Sequence, residues 1–355
     1  VNSRRSDTLD VTVDPGIGPI GELSAAIEEH GFGGLFLGET CHDPLMMLAA
    51  ASSSAPTIDL GTSVFVAFGR SPMVTAIAAN DLQTLTGGRV VLGVGSQVKP
   101  HITRRFSMPW SSPADRMREY VSAMRAIWRS WATSEPLDFA GEFYTHTLMT
   151  PMFDPGPNAF GNPPVIVAGV GPRMARVAGE IADGLLVHSF VTQEYLRTVL
   201  VPAVDEGLAA AGRSRADFTV MTTPMIATGT SDAQIAEARE FVRGQIAFYG
   251  STPAYRGALD IHGWSGLHER LHALSRQGAW EQMRANVPDE VVDEFALTVP
   301  VDQAAAALDE RWSWVADRIS VTATTSQALA AWESAPKRLP SRQTSSGSGS
   351  TRRRS

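Results

Sequence analysis

One cysteine, Cys41, and two lysines, Lys99 and Lys337, are all that 355 residues contain of those two reactive side chains. A single thiol excludes an intrachain disulfide framework and fits a reducing compartment, so a cytoplasmic location is expected. The shortage of lysine closes off a chemistry. A Schiff-base enzyme needs a desolvated amine, and only Lys99, in a stretch that reads as loop, or Lys337, in the C-terminal tail, is there to supply it. Long apolar runs are missing too. None approaches the ~20 residues of a membrane-spanning helix, and the opening VNSRRSDTLD lacks a signal-peptide core. Positive charge is not in excess either: 30 Lys and Arg against 37 Asp and Glu leave a net charge of −7, which argues against a nucleic-acid binder. What is present is the composition of a globular protein with a sizeable core, 43% hydrophobic and 19% charged.

The stretch Ile58 to Gln97 organises the rest. Ile58 to Phe68 is a near-continuous apolar run, as expected of a parallel strand buried on both faces. Ser71-Pro72 opens a helix, as N-cap and first helical residue, and Gly87-Gly88 closes it. Arg89 to Gly93 is a second buried strand, leaving through the tight loop Gly93-Val94-Gly95-Ser96-Gln97. The same alternation recurs along the chain. Strands are expected at Leu9–Val13, Gly34–Gly38, Pro164–Ala168, Asp183–Val187, Phe218–Thr228 and Arg318–Ala323. Helices are expected after Pro44 (capped by Asp43) and Pro113, and at Thr192–Ala211, Asp232–Phe248, Val301–Trp312 and Ser326–Trp332. Asp14-Pro15-Gly16 reads as a turn and Gln97 to Trp110 as a long loop. The pattern implies one (β/α)8 TIM barrel over residues 1–335, with insertions at about 132–163, as a hairpin or ordered loop, and 250–300. Residues 336–355 read as a basic, low-complexity, disordered tail.

Barrel enzymes place their chemistry on the C-terminal side of the strands. Glu39, His42, His101 and His188 all fall on loops or strand ends there. The loop Ala168 to Arg173 joins a strand to a helix N-terminus, where free N–H groups favour an anion; it reads equally as a tight turn whose glycines need positive φ. Neither it nor Gly93-Val94-Gly95 meets GxGxxG, since Met174 and Val98 occupy the last position, and a Rossmann reading fails. His268-Glu269-Arg270-Leu271-His272 is a literal HExxH. With Glu290 or Glu294 it has the makings of a zinc site, but its flanks and its place in an insertion favour a solvated helix face.

Three motifs, LGTSV at Leu60–Val64, LTGGR at Leu85–Arg89 and LGVGS at Leu92–Ser96, resemble the bacterial-luciferase-like flavin and deazaflavin oxidoreductases. Within them the chain is most similar to the branch dependent on the deazaflavin coenzyme F420, over about Leu9 to Ala330. The resemblance implies a cis peptide at Ser63-Val64 against the middle ring of the coenzyme, with Ser63, Val64 and Val66 supporting the ring system. It implies Gly95, Ser96, Gln97 and Val98 along the ring edge and Ala168, Gly169, Val170 and Gly171 at the phosphate. Glu39 would contact the deazaflavin or a reacting proton, and His188 would lie at the substrate end. Relatives that oxidise alcohols or sugar phosphates carry an Asp-His pair after the second strand and a Glu after the fourth-strand loop. Here those positions read Glu39-Thr40 and Val98. The departure points to a reductase of a small organic substrate, the favoured direction, or to a dehydrogenase of different substrates, with His42 or His101 supplying a proton. The family further implies a homodimer. The alternatives are a reduced-FMN monooxygenase on the same barrel, a non-catalytic flavin-binding barrel and, outside the resemblance, a zinc hydrolase.

Overall fold

The computed structural model describes residues 6–13, 19–323, 329–333 and 335–340. Eight parallel strands close into a ring: β1 Asp10–Val13, β2 Gly34–Leu37, β3 Asp59–Thr62, β4 Val90–Gly95, β5 Val165–Gly169, β6 Gly184–Val187, β7 Thr219–Thr222 and β8 Arg318–Ala323. β1 pairs with β2 and β8, and β4 returns to β3 to close the ring. The barrel helices are α1 Ile20–Glu29, α2 Pro44–Ala51, α3 Pro72–Leu85, α4 Pro113–Thr133, α5 Pro172–Ile181, α6 Val201–Ala210 and α7 Val301–Trp312. The (β/α)8 architecture implied by the alternation is the one the chain adopts.

Local chemistry sets the helix starts. Asp43 accepts from the Leu45 and Met46 N–H groups ahead of Pro44, and Ser71 accepts from Val74 N ahead of Pro72. Strand side chains divide by the period of two. Val11, Leu35, Leu37, Val90 and Leu92 join the main core under the helices. Phe36, Val91, Ile166, Leu186 and Met221 form a separate cluster inside the ring, on which Val64 and Ala168 pack.

The N-terminal end of the ring is plugged by charge. Arg318, 2% exposed, donates from Nε and Nη2 to Asp10 at 2.8 and 2.7 Å and from Nη1 to Asp59 at 2.5 Å. Burial alone would lower its pKa, but the two carboxylates raise it above the usual value. Its guanidinium lies 5.3 Å from the Phe36 ring centroid. Gly61 makes room for that ring, since a Cβ there would stand 2.4 Å from it. Only the C-terminal end is left for a site.

Several elements differ from the sequence reading. Ile58 to Phe68 is not one strand: β3 ends at Thr62, the Ser63-Val64 peptide is cis, and Phe65–Val66 pairs afresh with β4 before a turn of 3-10 helix at Ala67–Gly69. Likewise Phe218 to Thr228 splits. β7 stops at Thr222, and Met225–Ala227 leaves the ring to pair in parallel with Ala296–Thr298 from the second insertion. The expected loop after Gln97 contains a helix, Lys99–Arg104. The expected helix Thr192–Ala211 passes through a π turn, Leu196–Leu200, just before Pro202, which has no N–H to return to the preceding turn. The first insertion holds the antiparallel pair Phe139–Ala140 and Thr145–His146.

Chain order also runs past 335, which corrects the expected start of the tail. Arg338 bridges Thr8, Leu9 N donates to the Lys337 carbonyl at 2.7 Å, and Leu339 is fully buried. Leucine at that position has apolar surface to bury, which the basic composition of the tail obscured. The turn at Asp14–Gly16, the start of the Ser326–Trp332 helix and residues 341–355 lie outside the described residues.

Candidate active site

Glu39, two residues past β2, is 8% exposed and grips the segment that follows β3. Its N–H donates to the Val64 carbonyl at 3.0 Å, and its Oε2 accepts from Val66 N at 2.8 Å. Arg70 Nη1 donates to both carboxylate oxygens at 2.8 and 2.9 Å, and Nη2 to Asp43 Oδ2 at 2.7 Å. Burial works against the Arg70 charge, but hydrogen bonds to Glu39 and Asp43 raise its pKa above the usual value. The guanidinium also lies over the Phe65 ring, 4.5 Å from its centroid. Glu39 is thus an acceptor occupied on both oxygens, chemically suited to holding the 63–66 bulge.

The bulge crosses β4 at Gly95. A Cβ there would stand 2.8 Å from Val64 Cγ2, so the glycine is what lets Val64 lie against the strand. Ser96 and Gln97 are half-buried at the same edge, and Gln97 takes a left-handed φ of 58° with its own Oε1 accepting from Val98 N at 2.9 Å. Val98 is exposed, and the helix beyond it carries His101 to the exposed surface. That segment folds back through Arg105, which donates to the Thr40 carbonyl. His42 is half-buried on the β2 loop. Among the described residues no hydrogen bond ties His42 or His101 into the network of Glu39.

On the other side of the mouth, Gly171 is the N-cap of α5, with no side-chain cap. Neither Gly169 nor Gly171 has positive φ, which removes the conformational reason for glycine at these positions. A steric use is present at Gly169 alone. A Cβ on Gly169 would press on Leu185 and Met174 at 3.2–3.4 Å, whereas one on Gly171 would meet nothing within 4 Å. Gly171 therefore borders open space at a helix N-terminus. Ala168, half-buried one residue earlier, shares the lumen cluster with Val64.

His188 follows β6, three strands round the ring from the bulge. Its Nδ1 accepts from Phe190 N at 3.0 Å, and burial pushes its pKa down to about 4, so the ring is neutral at pH 7. Tyr249 and Tyr255, each with ring centroid 4.7 Å away, flank it, and Nε2 is 3.4 Å from Tyr255 Oη.

The HExxH histidines do neither of the things weighed for them. His268 Nδ1 donates to the Gly250 carbonyl at 2.7 Å and His272 Nδ1 to the Ser251 carbonyl at 2.9 Å. They satisfy carbonyls at the C-terminus of the helix Asp232–Gly250, and His268 is buried, not solvated. Among the described residues no three His, Cys, Asp or Glu stand together as a metal site.

The chain is thus a closed parallel ring whose third strand breaks into a bulge at the mouth. A family model described as luciferase-like monooxygenase matches residues 3–318. The chain belongs to that family. An uncharacterized protein of Mycobacterium tuberculosis is 47% identical over 311 residues, covering 88% of this chain and 92% of that protein. The 5,10-methylenetetrahydromethanopterin reductase of Archaeoglobus fulgidus is 30% identical, over 74% of this chain and 76% of the reductase. The fold is similar to that of the coenzyme F420-dependent tetrahydromethanopterin reductase from Methanopyrus kandleri, with a TM-score of 0.77 at 18% identity over 95% of this chain and 99% of that one.

As a luciferase-like protein the chain is an enzyme, an oxidoreductase by class. Sequence reasoning named several residues that this luciferase-like barrel brings to its mouth but missed those that organise them. Arg70 had a signal, a lone cation between strand and helix start. Tyr249 and Tyr255 had none, because Tyr255 lies in an insertion without periodicity. Among the described residues no helix is long and apolar enough to cross a membrane.

Proposed function

We propose that the chain is a coenzyme F420-dependent oxidoreductase that passes a hydride to a small organic substrate. The observation that carries this reading is the mouth itself. An apolar floor of Val64 and Ala168 lies between a polar edge at Ser96 and Gln97 and an open helix start at Gly171. A flat ring system bearing a phosphate fits that order of surfaces. Thr223, two residues past the lumen-facing Met221, adds a buried hydroxyl with no partner among the described residues. The reductase named above, 30% identical, supports the same class of reaction.

In this reading the deazaflavin supplies hydride chemistry at its C5, and the protein supplies position and electrostatics. Ser63, Val64 and Val66 support the rings, with Gly95, Ser96, Gln97 and Val98 along their edge. Ala168, Gly169, Val170 and Gly171 receive the phosphate, its charge matched to the free N–H groups of α5. Glu39, bound by Arg70, holds the bulge. The reductase direction is favoured because that carboxylate is engaged by Arg70 and Val98 offers no acid or base. His42 or His101 supplies the proton at this edge, and His188 borders the substrate end. A homodimer belongs to the same proposal, supported by exposed Val74, Ile77 and Leu85 on α3 and exposed Met46 on α2, the helix packed against it. So does a cytoplasmic location, in keeping with the lone, exposed Cys41.

The test is a fluorescence titration of the apoprotein with F420 and with FMN. Tight binding of F420 and weak binding of FMN is expected. Preference for FMN, with oxygen consumed on reduction, would replace the reading with a monooxygenase. Binding without turnover across a substrate panel would leave a flavin-binding barrel.

A further inference from the structure

The helix Asp232–Gly250 and the second insertion that follows it each bring one phenol to the barrel mouth that the cofactor reading leaves without a task. Tyr249 ends the helix Asp232–Gly250 and Tyr255 lies on the following 3-10 turn. With His188 they make a half-buried aromatic corner: Tyr249 meets the imidazole edge-on at 84°, Tyr255 is tilted 33° to it, and the two tyrosine rings are 5.6 Å apart. Phe190, stacked on Phe295 at 4.3 Å, backs the corner.

The hydrogen bonds give this corner a direction. Because His188 Nδ1 accepts from Phe190 N, the neutral ring carries its proton on Nε2. Nε2–H therefore donates to Tyr255 Oη, and the hydroxyl proton of Tyr255 is left to point elsewhere. Burial pushes the Tyr255 pKa up to about 12, with Tyr249 adding to the shift, so the group stays a donor at neutral pH. We propose that this corner is the substrate subsite, taking a flat aromatic carbonyl compound whose oxygen accepts a hydrogen bond from Tyr255 while its ring lies against Tyr249. The assignment deepens the oxidoreductase reading and rests on it for chemistry, though not for binding. When a hydride reaches the carbonyl carbon, the π pair passes to oxygen, which takes the Tyr255 proton. The tyrosinate is held by His188 Nε2–H and regains a proton from water; the hydride donor is the reduced deazaflavin, oxidised by two electrons.

The test uses acetophenone and its isostere α-methylstyrene, which lacks the carbonyl, in calorimetric titrations of the full-length protein. Tyr255→Phe is expected to weaken acetophenone about threefold to tenfold, the worth of one neutral hydrogen bond, and to leave α-methylstyrene within about twofold. Tyr249→Phe, which keeps its ring, is expected to change neither. In the wild type the infrared carbonyl stretch of bound 13C-labelled acetophenone is expected below its value in hexane. Equal weakening of both ligands, no change in either, or a hexane-like stretch would overturn the subsite. F420 titrated into the same variants separates the two readings. Loss of the acetophenone pattern with F420 binding intact removes the subsite alone, and the pattern without F420 binding removes the cofactor alone.

Discussion

Two arginines, one at each end of the barrel, are each clamped between two carboxylates, and they do different things. Arg318 sits inside the ring with its side chain 2% exposed, against Asp10 at 0%. Arg70 sits at the mouth with its side chain 21% exposed, against Glu39 at 4% and Asp43 at 38%. The first network joins the starts of β1, β3 and β8 and closes the ring. The second joins the loop after β2 to the bulge after β3 and shapes a surface. The same ion-pair chemistry serves stability where water is shut out and serves a site where one edge stays open.

Removing Arg318 breaks the comparison most severely. Arg318→Ala strands Asp10 in the interior, and loss of a buried partner costs about 3–5 kcal/mol. Urea unfolding is expected to show that loss, with coenzyme binding failing only as the fold fails. A smaller effect is expected at the mouth. Gly95→Ala drives a methyl to 2.8 Å from Val64, and such overpacking costs about 1–3 kcal/mol. F420 affinity measured on the folded fraction is expected to fall with it, whereas Gly171→Ala, with nothing within 4 Å, should leave stability unchanged.

His188 sharpens the comparison through pH. Its folded pKa of about 4 lies below the ordinary 6.5, so on acidification the unfolded chain takes up a proton that the folded one refuses. Stability therefore falls between pH about 6.5 and about 4, and no such loss occurs above that window. In His188→Gln the acid limb of the thermal midpoint against pH should be shallower. The smallest effect belongs to the HExxH helix. His272→Ala gives up one hydrogen bond at a half-buried position, worth about 1 kcal/mol, and zinc or a chelator should leave the melting curve unmoved.

The barrel was legible because buried parallel strands write continuous apolar runs and helices write caps, and Asp43-Pro44 and Ser71-Pro72 cap as read. The break in the third strand was not, since Ser63-Val64 carries no proline and no turn dipeptide to mark it within the run from Ile58 to Phe68; only family likeness located it. The two arginine networks were invisible for a different reason. Arg70 and Glu39 are 31 positions apart, and Arg318 and Asp10 are 308 apart, distances over which no periodicity speaks. His188 was found as a strand-end histidine, but Tyr249 stands one residue past the expected end of its helix and Tyr255 comes from an insertion that the β/α rhythm does not reach. For His268 and His272 spacing misled in both directions, because the pattern cannot say which carbonyls a helix end leaves free.

The most direct measurement sets coenzyme affinity against thermal midpoint in Arg70→Met. The variant leaves the Glu39 carboxylate with only the Val66 N–H among the bonds that now hold it. The three charged hydrogen bonds of Arg70 are lost together; at about 1.5–3 kcal/mol for even one of them, F420 affinity is expected down about tenfold or more, while the midpoint, at a half-open site, falls by less than in Arg318→Ala. A collapse of the midpoint like that of Arg318→Ala, with affinity of the folded protein unchanged, would contradict the division between the two ends.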